Sequence, residues 1–153
     1  MNQNDRVVLV VGASSGIGYY SAIHLHRLGY RVFGTSRQAN RITADPGSQG
    51  YPFRLIQLDI NDNDSVSSAF DSIVEEESRL DVVVNSAGYG LAGAVEDTSV
   101  EEAKQQFETN FFGVLRVCRA VLPIMRRQRY GYLVNVGSIA GVLGIPFQSI
   151  EHV

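Results

Sequence analysis

Five aliphatic residues, Val7-Val8-Leu9-Val10-Val11, run directly into Gly12-Ala13-Ser14-Ser15-Gly16-Ile17-Gly18. A run this short, β-branched and without a polar face reads as a strand buried on both sides, which is the habit of a parallel sheet. The glycines permit a tight turn, and a helix over residues 16–28 completes the unit. Its Ile17, Ala22 and Leu25 share an inward side, and Gly29 supplies the stop. Strand, glycine turn and helix in that order aim free backbone N–H groups and a positive helix end at an anion such as a phosphate.

The rest of the chain repeats the alternation. Residues 31–35 read as a second strand, and 38–51 as a Thr-, Asp-, Pro- and Gly-rich loop with at most a helical turn. A third strand is expected over 54–58. A helix follows over 62–78, with Val66, Ala69, Phe70 and Ile73 inward, and a fourth strand over 81–85. Thr98-x-x-Glu101 and Ser99-x-x-Glu102 are both capping-box spacings, so either residue can open the longest helix. That helix runs towards Met125, and Pro123 in its last turns should bend or end it. A fifth strand is expected over 131–136. Strands alternating with helices give an α/β fold, a doubly wound parallel sheet with right-handed crossovers, in one domain over 1–153.

Composition removes several function classes. A net charge of −3 with scattered basic residues argues against nucleic acid, and Arg126-Arg127-Gln128-Arg129 reads as a solvated helix end. One cysteine, Cys118, cannot form an internal disulfide, so a reducing, cytoplasmic setting is the simplest expectation. The apolar runs are strand-length, so no membrane span is expected. His24 and His26 fall on different helix faces, which excludes joint metal binding, and no metal site is expected. Glu75-Glu76-Glu77 reads as a solvated helix face and Cys118 as a packed, inert thiol. Tyr89-Gly90-Leu91 and Val142-Leu143-Gly144-Ile145-Pro146-Phe147 follow strands four and five, where ligands sit in parallel sheets, and are expected to line an apolar substrate cleft.

The glycine spacing here is Gly-x-x-x-Gly-x-Gly rather than Gly-x-Gly-x-x-Gly. The segment from Gly12 through Ser14, Ser15, Gly16 and Ile17 to Gly18 resembles the cofactor signature of the short-chain dehydrogenase/reductase family. Further motifs resemble that family in register across the chain. Asp59, with Ile60 beside it, stands where the family binds the adenine amino group. Asn85-Ser86-Ala87-Gly88 resembles its Asn-Asn-Ala-Gly segment, Asn110 its helical catalytic asparagine and Ser138 its catalytic serine. One departure is Val11, where the family usually has threonine.

Cofactor preference is read at the end of the second strand, where a carboxylate selects NAD and an arginine NADP. Phe33-Gly34-Thr35-Ser36-Arg37 has no acid, and Arg37 offers a planar fork for a 2′-phosphate, with Ser14 and Ser36 as further hydroxyl donors. NADP is the expected cofactor.

The resemblance implies hydride transfer on a small-molecule carbonyl or alcohol by a Ser-Tyr-Lys group assisted by the helical asparagine, which holds a water of the proton relay. A Tyr-x-x-x-Lys pair places both side chains on one helix face. The only lysine here is Lys104, and Val100 stands four residues before it, so the pair is absent. The family's tyrosine is expected shortly after Phe147-Gln148-Ser149-Ile150, where Glu151-His152-Val153 stands instead. Two readings follow. One is an NADP-dependent oxidoreductase whose given chain is C-terminally incomplete and inactive as it stands. The other is a non-catalytic nucleotide-binding or interaction module.

The family's sheet order, 3-2-1-4-5 with further strands and helices beyond, would leave Tyr132, Leu133, Val134 and Val136 on an exposed edge. It would also leave Phe107, Phe111, Phe112, Leu115 and Leu122 of the long helix open to homo-oligomer formation.

Overall fold

The computed structural model describes residues 6–44, 50–144 and 146–147. Ile145 of the apolar loop and the positions after Phe147, where the tyrosine is expected, lie outside them. Five strands, β1 (Val7–Val11), β2 (Arg31–Ser36), β3 (Arg54–Gln57), β4 (Val82–Asn85) and β5 (Tyr132–Asn135), form one sheet in the order β3-β2-β1-β4-β5. Every pairing is parallel; Leu9 sits opposite Phe33 on one side and Val83 on the other. This is the doubly wound topology anticipated from the strand–helix alternation.

β1 lies at the centre because it alone can be apolar throughout, and its five side chains are at most 2 % exposed. Alternate residues feed two cores. Val7, Leu9 and Val11 pack with Phe33 and Val83 beneath α3 (Asn63–Glu77) and α5 (Val114–Gln128). Those helices contribute Val66, Phe70, Ile73, Val117, Val121 and Met125. Val8 and Val10 face the other way, towards Ala22 of α1 (Gly16–Arg27), Phe53 and Val84. Full burial of one such aliphatic side chain stabilises by about 1.5–3 kcal/mol.

Helix ends follow their local chemistry. Asp62 opens α3 by accepting the N–H groups of Asp64 at 2.9 Å and Ser65 at 3.5 Å, and Ser78 closes it in the left-handed region at φ 58°. Of the two capping boxes, Ser99 and Glu102 form the real one at the start of α4 (Val100–Phe107). Ser99 Oγ accepts the Glu102 N–H at 3.2 Å, and Glu102 Oε2 accepts the Ser99 N–H at 2.9 Å. Thr98 instead turns its hydroxyl back to the Ala94 carbonyl.

Several expectations are corrected. Ile17 does not face the core: at 66 % exposed it stands in the first turn of α1, beyond the sheet and on the ligand cleft described below. Of the bend or end expected at Pro123, the end does not occur: the helix runs on to Gln128. Residues Glu108–Gly113 adopt π-helix between α4 and α5, a break the sequence period did not signal. The 38–51 loop holds α2 (Ala39–Ala44), six residues and so about one and two-thirds turns rather than at most one. The acidic run is not simply solvated: Glu76 pairs with Arg31 and Arg54, and Glu77 with Arg31, tying α3 to two strands. In β5, Leu133 is half-buried against the α3/α5 face, whereas Tyr132, Val134 and, just past the strand, Val136 are exposed. Cys118 is half-buried, and desolvation pushes its thiol pKa up. Among the described residues no helix is long and apolar enough to cross a membrane.

Candidate active site

The carboxyl ends of β1, β2, β4 and β5 open onto one cleft of about 990 Å³, at the upper end of the range for small-molecule and cofactor sites. Its first wall is the glycine turn. Gly12 takes φ +82°, and a Cβ there would stand 2.8 Å from the Ala87 backbone. Gly18 packs so tightly that its Cβ would lie 2.2 Å from the Gly12 carbonyl oxygen. Thr35 sets the base of the turn, its Oγ1 accepting the Gly12 N–H at 3.2 Å and its carbonyl the Ala13 N–H at 2.8 Å.

The start of α1 differs from those of α3 and α4. Its N-cap, Ser15, makes no side-chain cap hydrogen bond, and its first turn holds no acid. The first intrahelical donor is the Tyr19 N–H, to the Ser15 carbonyl at 3.2 Å. The N–H groups of Ser15, Gly16, Ile17 and Gly18 therefore have no intrahelical acceptor. This arrangement suits a phosphate, because both the dipole and the free donors attract negative charge.

Beyond β2, Ser36 is buried and its Oγ accepts the Gln38 N–H at 3.1 Å. Arg37 is exposed on the cleft, and its guanidinium enters no ion pair among the described residues. After β3, Asp59 folds into a tight turn by accepting the Asn61 N–H at 3.0 Å, and Ile60 is buried against Gly113 of the π segment.

The opposite wall is made of carboxamides. Asn110 grips the backbone of Tyr89, accepting its N–H at 3.1 Å and donating to its carbonyl at 2.8 Å. Gln106, the one buried residue of α4, donates to the same carbonyl at 3.2 Å. Asn61 donates to Thr109 at 3.0 Å and Asn85 to Asn135 at 2.7 Å. The remaining oxygens, Asn61 Oδ1, Asn85 Oδ1 and Gln106 Oε1, are buried without a partner among the described residues, and all three residues line the cleft. A buried acceptor left unpaired costs about 1–3 kcal/mol, so this wall is built for a ligand or waters that donate. Ser138 is exposed at the far end; its Oγ accepts the Ala140 N–H at 3.1 Å, which leaves its own proton free to point outward.

All the residues singled out as cofactor-binding line this one cleft, together with Asn110 and Ser138. Tyr89 and Gly90 line it too. Leu91, Val142, Leu143 and Phe147 do not, so the described residues of the apolar loop after β5 form no part of this wall, and Phe147 is tied instead to Gly93, whose N–H donates to its carbonyl at 2.8 Å. Thr35, Asn61, Gln106, Thr109 and Asn135 are lining residues that the motifs missed. Asn135 was findable, since Val-Val-Val-Asn and Tyr-Leu-Val-Asn end their strands alike. Gln106 carried no signal, because a glutamine on a helix is ordinarily exposed.

Comparison with known proteins agrees with this geometry. The family model for short chain dehydrogenase matches residues 6–150. A 3-ketodihydrosphingosine reductase of Bacteroides thetaiotaomicron is 42% identical over 94% of this chain and 51% of its own length. Retinol dehydrogenase 8 of Bos taurus is 38% identical over 98% of this chain and 50% of its own. The chain thus spans about half the length of the curated relatives it matches. Among solved structures, ElxO with NADP bound superposes with a TM-score of 0.85 at 31% identity, covering 95% of this chain and 60% of that one. The chain belongs to the short-chain dehydrogenase family, whose members are oxidoreductases.

Proposed function

We propose that these residues are the nucleotide-binding domain of an oxidoreductase that takes NADP(H) and acts on a small-molecule carbonyl or alcohol in the cytoplasm. The observation that carries the cofactor choice is an uncapped α1 beside Arg37, whose guanidinium enters no ion pair among the described residues, with no acid at the end of β2. Support comes also from a relative named as the reductase of a keto compound, another named as a dehydrogenase of an alcohol, and a neighbour solved with NADP.

NADP(H), when bound, supplies or accepts the hydride. The N–H groups of Ser15, Gly16, Ile17 and Gly18 hold phosphate, and Gly12 leaves room for the close approach. Ser14, Ser36 and Arg37 receive the 2′-phosphate, and Asp59 with Ile60 receives the adenine. Asn85, Ala87 and Gly88 form the facing wall. Ser138 would hold the substrate oxygen by a hydrogen bond donated from its hydroxyl. Asn110 positions the Tyr89 backbone through its carboxamide and keeps one N–H for a water.

Titration with NADPH and NADH tests this assignment. NADPH binds more tightly, and Arg37→Ala removes most of the difference, since a charged hydrogen bond contributes about 1.5–3 kcal/mol. Equal affinities in the unmutated chain would overturn it. The Tyr-x-x-x-Lys pair that the resemblance implies does not occur in these 153 residues, so these residues alone are expected to bind the nucleotide without turnover. Without that acid, on the order of 10²–10⁴-fold of catalysis is missing. A panel of aldehydes, ketones and secondary alcohols with these residues alone gives background turnover. Turnover lost on Ser138→Ala would overturn that expectation.

A further inference from the structure

Tyr51 is not a lining residue of the cleft, yet its hydroxyl donates to the Ser14 carbonyl at 3.2 Å. Its ring is held by aromatic neighbours on the far side of the turn. It stands edge-on to Tyr19 of α1, with centroids 5.6 Å apart, and to Phe53 at 5.3 Å. Phe53 is itself buried, in a space that exists because residue 34 is glycine: a Cβ there would meet the Phe53 ring at 2.5 Å.

The peptide joining Ser14 to Ser15 is trans and planar, so its carbonyl and its N–H point in opposite directions. Tyr51 draws the carbonyl towards the aromatic cluster, away from the cleft. The N–H of Ser15, which has no intrahelical acceptor, is thereby turned the other way, towards the cleft that Ser15 lines. Were this peptide to flip, a carbonyl oxygen would face the place where an anion sits, and the turn would repel what it now attracts. Thr35 secures the N–H groups of Gly12 and Ala13 just upstream, and the helix secures the residues that follow. The Ser14–Ser15 peptide is the link between those two anchors.

We propose that Tyr51 is a positioning residue of the phosphate-binding turn, its hydroxyl fixing the Ser14–Ser15 peptide so that the Ser15 N–H faces a phosphate group of the ligand. This rests on the nucleotide reading above and extends it to a side chain outside the cleft, on the chain segment leading into β3. The phosphate has two sources in a dinucleotide, the bridging pyrophosphate and the 2′-phosphate.

Tyr51→Phe tests this, because it removes one hydroxyl and keeps the ring packing. Dissociation constants are measured for NADPH, NADH and phosphate-free adenosine, with the melting temperature of the ligand-free protein. The variant weakens NADPH by roughly two- to tenfold, the scale of one hydrogen bond, and leaves adenosine unchanged. Loss confined to NADPH assigns the 2′-phosphate; equal loss for NADPH and NADH assigns the pyrophosphate; either supports the proposal. Unchanged affinities for both dinucleotides overturn it. So does weakening of all three ligands with a lower melting temperature, which is what a packing role alone produces. Absence of dinucleotide binding already in the unmutated chain overturns the nucleotide reading itself, and this proposal with it.

Discussion

Asn85 and Asn135 occupy matching positions in neighbouring parallel strands, and the Asn85 Nδ2 donates to Asn135 Oδ1 at 2.7 Å. Strand register thus becomes side-chain contact at the lip of the cleft. Asn85 is buried and Asn135 exposed, so the two ends of the bond are unequal. Asn135→Ala leaves a buried amide donor without its acceptor and lowers stability by about 1–3 kcal/mol in urea unfolding. A loss within about 0.5 kcal/mol, the scale of an ordinary surface substitution, would show that water replaces Asn135 without cost.

Gly18→Ala decides between two opposed effects. Replacing a helical glycine by alanine ordinarily stabilises by about 0.5–1 kcal/mol. Here the new Cβ would lie 2.2 Å from the Gly12 carbonyl oxygen, a backbone atom that cannot swing aside. The clash wins, and the variant is less stable by about 1–3 kcal/mol, the usual range for overpacking. A raised melting temperature would show that the turn is free to shift.

Glu102 gives the start of α4 a pH dependence. Hydrogen bonds from the Ser99 side chain and then the Ser99 backbone hold its carboxyl below the ordinary value of 4.5. A depressed folded-state pKa contributes stability that is present above 4.5 and lost as the pH falls through the folded value. The stability difference between the unmutated chain and Glu102→Gln is therefore constant at neutral pH and shrinks below about pH 4.3. Ser99→Ala, which removes the cap itself, costs about 0.5–2 kcal/mol at neutral pH. A Glu102→Gln difference that persists undiminished at pH 3 would rule out the carboxylate as its source.

Phe111, Phe112, Leu115 and Leu122 are all exposed along the π segment and α5. Such a stripe promotes association. Light scattering after size-exclusion chromatography is expected to find species larger than a monomer, and Leu122→Glu to reduce them. A monodisperse monomer in the unmutated chain would mean that the stripe stays open to solvent at no cost.

The parts legible in sequence were those governed by local rules. The aliphatic run of β1, the glycine turn and the capping box at Ser99, one of the two offered with Thr98, each depend on neighbours within a few positions, and each formed. Ile17 misled because helical periodicity carries no information about where the helix extends past the sheet. The π segment was invisible because it is one turn wide and has no residue of its own to mark it. On the cleft, motif residues converged as a group, whereas Gln106 and Thr35 emerged only once tertiary contact paired them with Tyr89 and Gly12.

The central place of β1 has a consequence for synthesis. Its residues leave the ribosome well before those of β4, and Val11 gains its partner Asn85 only after 74 further residues. At about 5–20 residues per second that interval lasts roughly 4–15 s. Through it the most apolar strand of the chain has at best β2 beside it, with one edge and much of both faces open. The pace of translation between the glycine turn and β4 therefore helps set how much of this protein reaches the folded state and how much is lost to strand pairing with other nascent chains.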